Sequence, residues 1–169
     1  MLRTIRLDAG DDDLFPVAAR NDEAAVSGGF AFDFGNVDPA ALSGKESQAF
    51  VNGFLGLTSF GRASLVVVSE CKPSDYVYAL EALTKHLMDV YGAPSPAEAR
   101  RVAEAELTFS KSLCDQPVNT LLSITRVITD NGMEENYAVH DSRPLWERDT
   151  SIFTPVPDTE PPVTEDRTP

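Results

Sequence analysis

Residues 64–92, SLVVVSECKPSDYVYALEALTKHLMDVYG, constrain the fold more than any other part of the chain. An apolar, β-branched run passes through a Cys-Lys-Pro turn into a helical pattern, so a strand hands over directly to a helix. Over 75–91, a step of about 100° per residue gathers Tyr76, Val77, Leu80, Leu83, Leu87, Met88, Val90 and Tyr91 on one half of the cylinder. Glu81, Lys85 and Asp89 fall on the other half. Gly92 suits the C-terminal cap, and Pro94 prevents continuation. The handover also places Cys71 at a helix N-terminus, where partial positive charge and free amides favour a thiolate. Glu70 and Asp75 oppose that charge, and cysteine is often a small buried apolar residue, so Cys71 is a candidate reactive thiol with a bland competitor.

A second helix is expected over 96–113. Ser95-Pro96-Ala97-Glu98 has the spacing of a capping box with proline at the first helical position, and the short connection makes the two helices an antiparallel pair. Residues 120–129 and 133–140 alternate around Asn131-Gly132, a strong hairpin signal. That turn pairs Ile128 with Glu135, Arg126 with Tyr137 and Ile124 with Val139. Ile124, Ile128, Tyr137 and Val139 then share one face, and Ser123, Thr125, Asn136 and His140 the other.

Upstream, residues 1–8 read as a strand. Residues 14–19 read as a second, held to a sheet edge by Pro16. Phe30, Phe32 and Phe34 alternate over 26–34 as one face of a third. Asp38-Pro39 suits a helix start, a helix follows over 45–52, and the glycines at 53, 56 and 61 suggest one long bent or bulged strand before the handover. The fold class is α+β: a mostly antiparallel sheet packed on one face by the helix pair. One domain covers 1–146, and 147–169 is an acidic, proline-rich tail too poor in apolar residues to order alone. Ile152, Phe153 and Val156 are the tail's expected contacts with its own domain or a neighbouring subunit.

Asp and Glu outnumber Lys and Arg by 27 to 14, and Arg100-Arg101 stands among Glu98, Glu104 and Glu106, so a phosphate backbone is repelled and nucleic acid is not an expected partner. No run has the length of a signal peptide core or membrane span. Cys71 and Cys114 are too few for a disulfide framework, so reduced thiols in a cytoplasm are expected, with a single bridge between them left open.

Chemical motifs are scarce. Gly44-Lys45 has neither the upstream glycine nor the following Ser or Thr of a phosphate loop, and no dinucleotide-binding glycine pattern or nucleophile elbow is present. No metal or cofactor is expected, with only His86 and His140 available; His140 with Asp141 is the candidate polar site. Glu106 is less ordinary. It projects from an apolar helix face of Ala99, Val102, Ala103, Phe109 and Leu113, and a carboxylate taken out of water needs a partner or a proton. Arg126, between Ile124 and Ile128, and Arg62 are the possible partners, so Glu106, Arg126 and Arg62 form a candidate buried ion pair or polar pocket.

Residues 40–62, AALSGKESQAFVNGFLGLTSFGR, and 106–115, ELTFSKSLCD, resemble a small bacterial family of uncharacterised proteins, a domain of unknown function. The resemblance covers most of 1–140 and implies a bacterial, cytoplasmic setting. It brings no activity, cofactor or catalytic residue. The expected function is non-catalytic, through contact with a protein partner or a second copy. The alternative is a small-molecule-binding protein or small enzyme whose pocket between sheet and helices uses Glu106, Arg126 and Cys71 or His140.

Overall fold

The computed structural model describes residues 1–6, 9–32 and 41–140. Among the described residues, seven strands form one sheet: β1 (Leu2–Ile5), β2 (Ala24–Val26), β3 (Phe54–Gly56), β4 (Arg62–Ala63), β5 (Leu65–Val68), β6 (Leu121–Thr129) and β7 (Gly132–His140). Their order is β4-β3-β2-β1-β5-β6-β7, with every neighbouring pair antiparallel. The helices are α1 (Ala9–Leu14), α2 (Gly44–Asn52), α3 (Pro73–Asp89) and α4 (Pro96–Ser112). The fold is α+β, with α3 and α4 packed on each other and on one face of the sheet.

Both long helices form for local reasons. Pro73 occupies the first turn of α3, and the Asp75 carboxylate there accepts from the Lys72 amide at 3.4 Å. Ser95 caps α4 by accepting from the Glu98 amide at 3.2 Å, while the Glu98 side chain turns to Arg101 at 2.9 Å. Gly92 adopts φ +63° where the chain leaves α3. The buried stripe of α3 is Ala79, Leu80, Leu83 and Leu87, narrower than the sequence suggests, since Val77, Met88, Val90 and Tyr91 stay exposed. On α4 it is Ala99, Ala103, Leu107 and Ser110, which leaves Phe109 exposed and Glu106 at its margin.

These stripes cover Ala24, Val26, Leu55 and Leu57. A second cluster, Leu2, Ala25, Phe54, Val66, Val68, Leu122 and Ile124, also takes Leu113 and Cys114 from the end of α4. Strand register explains the division. Leu2 lies opposite both Ala25 and Val68, and Val66 opposite Leu122, so alternate residues go to alternate clusters.

The structure corrects four expectations. The alternation over 26–34 is not a strand: β2 ends at Val26, Gly28 turns the chain at φ +74°, and Gly29–Ala31 is a 3-10 turn. Phe34, like Asp38-Pro39, lies outside the described residues. Residues 14–19 end α1 and then make only one parallel bridge, Ala18 to Arg62. The glycine-punctuated run is three strands rather than one; its first reversal is closed by the Gly56 amide on the Gly61 carbonyl at 3.0 Å. The hairpin turns at Asp130-Asn131, with Thr129 opposite Gly132, so Arg126 faces Glu135, Ile124 faces Tyr137 and Leu122 faces Val139. The slip is two residues, which preserves the faces and changes every partner. Both cysteines are free thiols, and the tail with Ile152, Phe153 and Val156 lies outside the described residues.

Candidate functional site

Among the described residues Arg126 is the largest fully buried side chain, 1% exposed in the middle of β6. Its Nη1 donates to the carbonyls of Phe50 at 2.8 Å and Gly53 at 3.0 Å, and Nη2 donates to the Ser27 carbonyl. Its Nε donates to Glu135 Oε1 at 2.7 Å. β1 and β5 separate β2 from β6 in the sheet, yet Arg126 reaches the residue following β2, so the sheet curls around this guanidinium. The absence of a side chain at Gly29 makes room, because a Cβ there would lie 2.8 Å from Glu135 Oε1 and 2.7 Å from Met133 Cε.

Glu135 completes the network. The Ser27 hydroxyl donates to both its oxygens at 2.7 and 2.9 Å, and the Tyr137 hydroxyl donates to Oε2 at 2.5 Å. Burial acts to raise the Glu135 carboxyl, but the donors Tyr137, Ser27 and Arg126 outweigh it and hold the group below the usual carboxylate range. Tyr137 moves up, through burial and the hydrogen bond to that carboxylate.

Glu106 therefore stands outside the ion pair that Arg126 forms. Among the described residues it makes no hydrogen bond or salt bridge, and burial, reinforced by the charge of Glu135 and only partly offset by Arg126, pushes it up to about 7. The reason is register: the β7 residue opposite Arg126 already carries a carboxylate, which leaves the α4 carboxylate surplus. Glu135 was legible in sequence only by placing the turn one residue earlier.

Arg62 is also buried, 8% exposed on β4, without a carboxylate partner among the described residues. Its Nη1 donates to the carbonyls of Gly28 and Gly53, both at 3.2 Å, and its Cζ sits 4.6 Å from the Phe32 ring centre. Burial, then the charge of Arg126, push this guanidinium down to about 9, still protonated at neutral pH. Arg62 forms part of the wall of an open cleft of about 380 Å³ whose lining includes Phe32, Glu46, Phe60 and Tyr91. Behind it His86 stacks on Phe60, ring centres 3.6 Å apart, and burial lowers its pKa. In sequence Phe32 reads as part of a strand face and Tyr91 as part of a helix stripe, and Phe60 is not singled out, because apolar residues read first as core.

The remaining candidates stand apart from this region. Cys71 is exposed just before α3, its Sγ 3.6 Å from the Lys72 carbonyl. His140, at the end of β7, is exposed and bonded to the Ser123 hydroxyl at 2.7 Å; Asp141 lies outside the described residues. Among the described residues no group of three or more His, Cys, Asp or Glu is placed to hold a metal, and no helix is long and apolar enough to cross a membrane.

The chain belongs to a family of unknown function, DUF6505, whose model matches residues 1–148. No curated protein and no solved structure matches the chain.

Proposed function

We propose that this DUF6505 chain is a non-catalytic protein of a bacterial cytoplasm that works through protein contact, first of all with a second copy across the free edge of β7. The carrying observation is the difference between the sheet's two edges. At β4 the chain covers its own edge: the Arg62 amide donates to the Val17 carbonyl at 2.8 Å, and the Ala19 amide to the Arg62 carbonyl at 2.7 Å. At β7 the described residues provide no such cover along nine residues, and Val127, Ile128, Met133 and Val139 on the β6–β7 ribbon are exposed. A long uncovered edge with apolar neighbours favours pairing with another strand.

The occupant follows from register. A two-residue turn makes Thr129 and Gly132 a hydrogen-bonded pair, so the backbone groups of Met133, Glu135, Tyr137 and Val139 point away from β6. Two copies related by a two-fold axis through Asn136 pair all nine residues. Met133 then meets Val139 of the partner subunit, Glu135 meets the partner's Tyr137, and Glu134 meets the partner's Ala138. No carboxylate lies opposite another. Centring on Glu135 instead opposes like charges directly, which is destabilising.

In that register Asn136 faces its own copy at a non-hydrogen-bonded position, about 4.5 Å between Cα atoms, within the range a disulfide spans. Asn136→Cys in a Cys71→Ser background is expected to oxidise to a covalent dimer, whereas Ala138→Cys in the same background, placed opposite Glu134, is not. Absence of the Asn136→Cys cross-link, or equal cross-linking at both positions, would overturn the register.

A further inference from the structure

We infer that the cleft at Arg62 is a binding site for a small molecule bearing a single carboxylate on a planar, apolar or aromatic body. This cleft is separate from the β7 edge and does not depend on the dimer. Arg62 is 8% exposed, and its unpaired donors are not among the buried, unsatisfied polar atoms, so they reach the solvent side, where an anion is a guanidinium's strongest partner. Nη1 of Arg62 is committed to the Gly28 and Gly53 carbonyls. Among the described residues no acceptor takes Nε or Nη2, which form the side of the fork that holds a carboxylate through two parallel bonds.

Arg62 is held from behind. Phe32 lies over its guanidinium, Gly28 admits the approach of Nη1 because a Cβ there would fall 2.8 Å away, and Arg126 adds positive charge. The cleft's size, about 380 Å³, is within the usual range for small-ligand sites. Phe32, Phe60 and Tyr91 give it aromatic walls, and His86 stacked on Phe60 fixes one of them. Two features limit the ligand's charge. Glu46 lines the same cleft with an exposed carboxylate, and the chain carries a formal charge of −13. Both penalise a phosphate or dicarboxylate more than a monocarboxylate.

The test is titration of the full chain with 2-naphthoate, its neutral analogue 2-naphthamide, and inorganic phosphate, followed by calorimetry and by amide and arginine Nε–H chemical shifts. The expected result is 1:1 binding of 2-naphthoate with shifts at Arg62, Phe32, Phe60 and Tyr91. The amide should bind at least about tenfold more weakly, because it loses a charge-assisted pair of bonds. Glu46→Gln, an exposed change that spares the fold, should tighten 2-naphthoate by roughly two- to fivefold and leave 2-naphthamide unchanged. Arg62→Leu should abolish the preference for the acid. Equal binding of acid and amide, shifts confined to other surfaces, weakening by Glu46→Gln, or displacement of 2-naphthoate by equimolar phosphate would each overturn the assignment.

Discussion

Replacing Glu106 by Gln should stabilise the protein, by an amount that grows as pH rises from about 4.5 to about 7. Glu106 sits at the margin of the buried face of α4, near a network in which Glu135 already satisfies Arg126. Its carboxyl is raised from the ordinary 4.5 to about 7, first by burial and then by the charge of Glu135. The folded state therefore holds a proton that the unfolded state has released. This favours folding fully below the unfolded value, and the advantage is lost as pH rises from about 4.5 to about 7. The full difference corresponds to about 3 kcal/mol, and partial exposure of the side chain reduces the expected effect to about 2 kcal/mol. Gln has the same shape and does not titrate. The variant minus wild-type difference should be close to zero at pH 4 and reach about 2 kcal/mol in favour of Gln at pH 8, or about 4–8 °C in midpoint. Thermal and urea unfolding at both pH values would measure it. A loss of stability at pH 8, or the same difference at both pH values, would refute the reasoning and restore Glu106 as a productive partner of Arg126.

Three further outcomes follow from named contacts. Arg126→Met removes the charged partner of the Glu135 carboxylate and the guanidinium donors to the carbonyls of Ser27, Phe50 and Gly53, so it should cost about 3–5 kcal/mol in urea unfolding; adding Glu135→Gln should cost clearly less than the sum of the single changes. Gly61→Ala would set a Cβ 2.4 Å from the Ala18 carbonyl carbon and oxygen, so it should push the covering segment off the β4 edge and cost at least about 2 kcal/mol, with rising amide exchange at Arg62 and Ala19. Cys71, exposed, should react with a thiol reagent in the folded protein well before the half-buried Cys114; equal rates would contradict the placement of α4's end on the second cluster.

How far the sequence could be read depended on the range of the forces involved. The helices α3 and α4 were legible because their signals are local: a 3.6-residue apolar stripe, prolines at first turns, Ser95 as a cap and Gly92 at positive φ. The hairpin was legible as an element, but Asn131-Gly132 and Asp130-Asn131 are adjacent two-residue turns, and only tertiary contact chooses between them. Here the choice goes to the register that sets Glu135 opposite a buried Arg126. The alternating phenylalanines misled for the same reason. Phe30 packs edge-on to Tyr91 and Phe32 lies over Arg62, contacts made by residues distant in sequence. Glu106 was recognised as an anomaly from one helix face, while its true neighbour Glu135 lay on a strand whose register was still open.

The most direct test of the account is sedimentation equilibrium of the full chain over a wide concentration range, beside Val139→Pro. Val139 directs its amide away from β6, so proline there removes a donor from the free edge and none from the β6–β7 ladder. The account predicts a reversible monomer–dimer equilibrium for the wild type, with Val139→Pro monomeric at every concentration and unchanged in circular dichroism. A wild type that stays monomeric throughout, or a Val139→Pro variant that dimerises equally well, would contradict it.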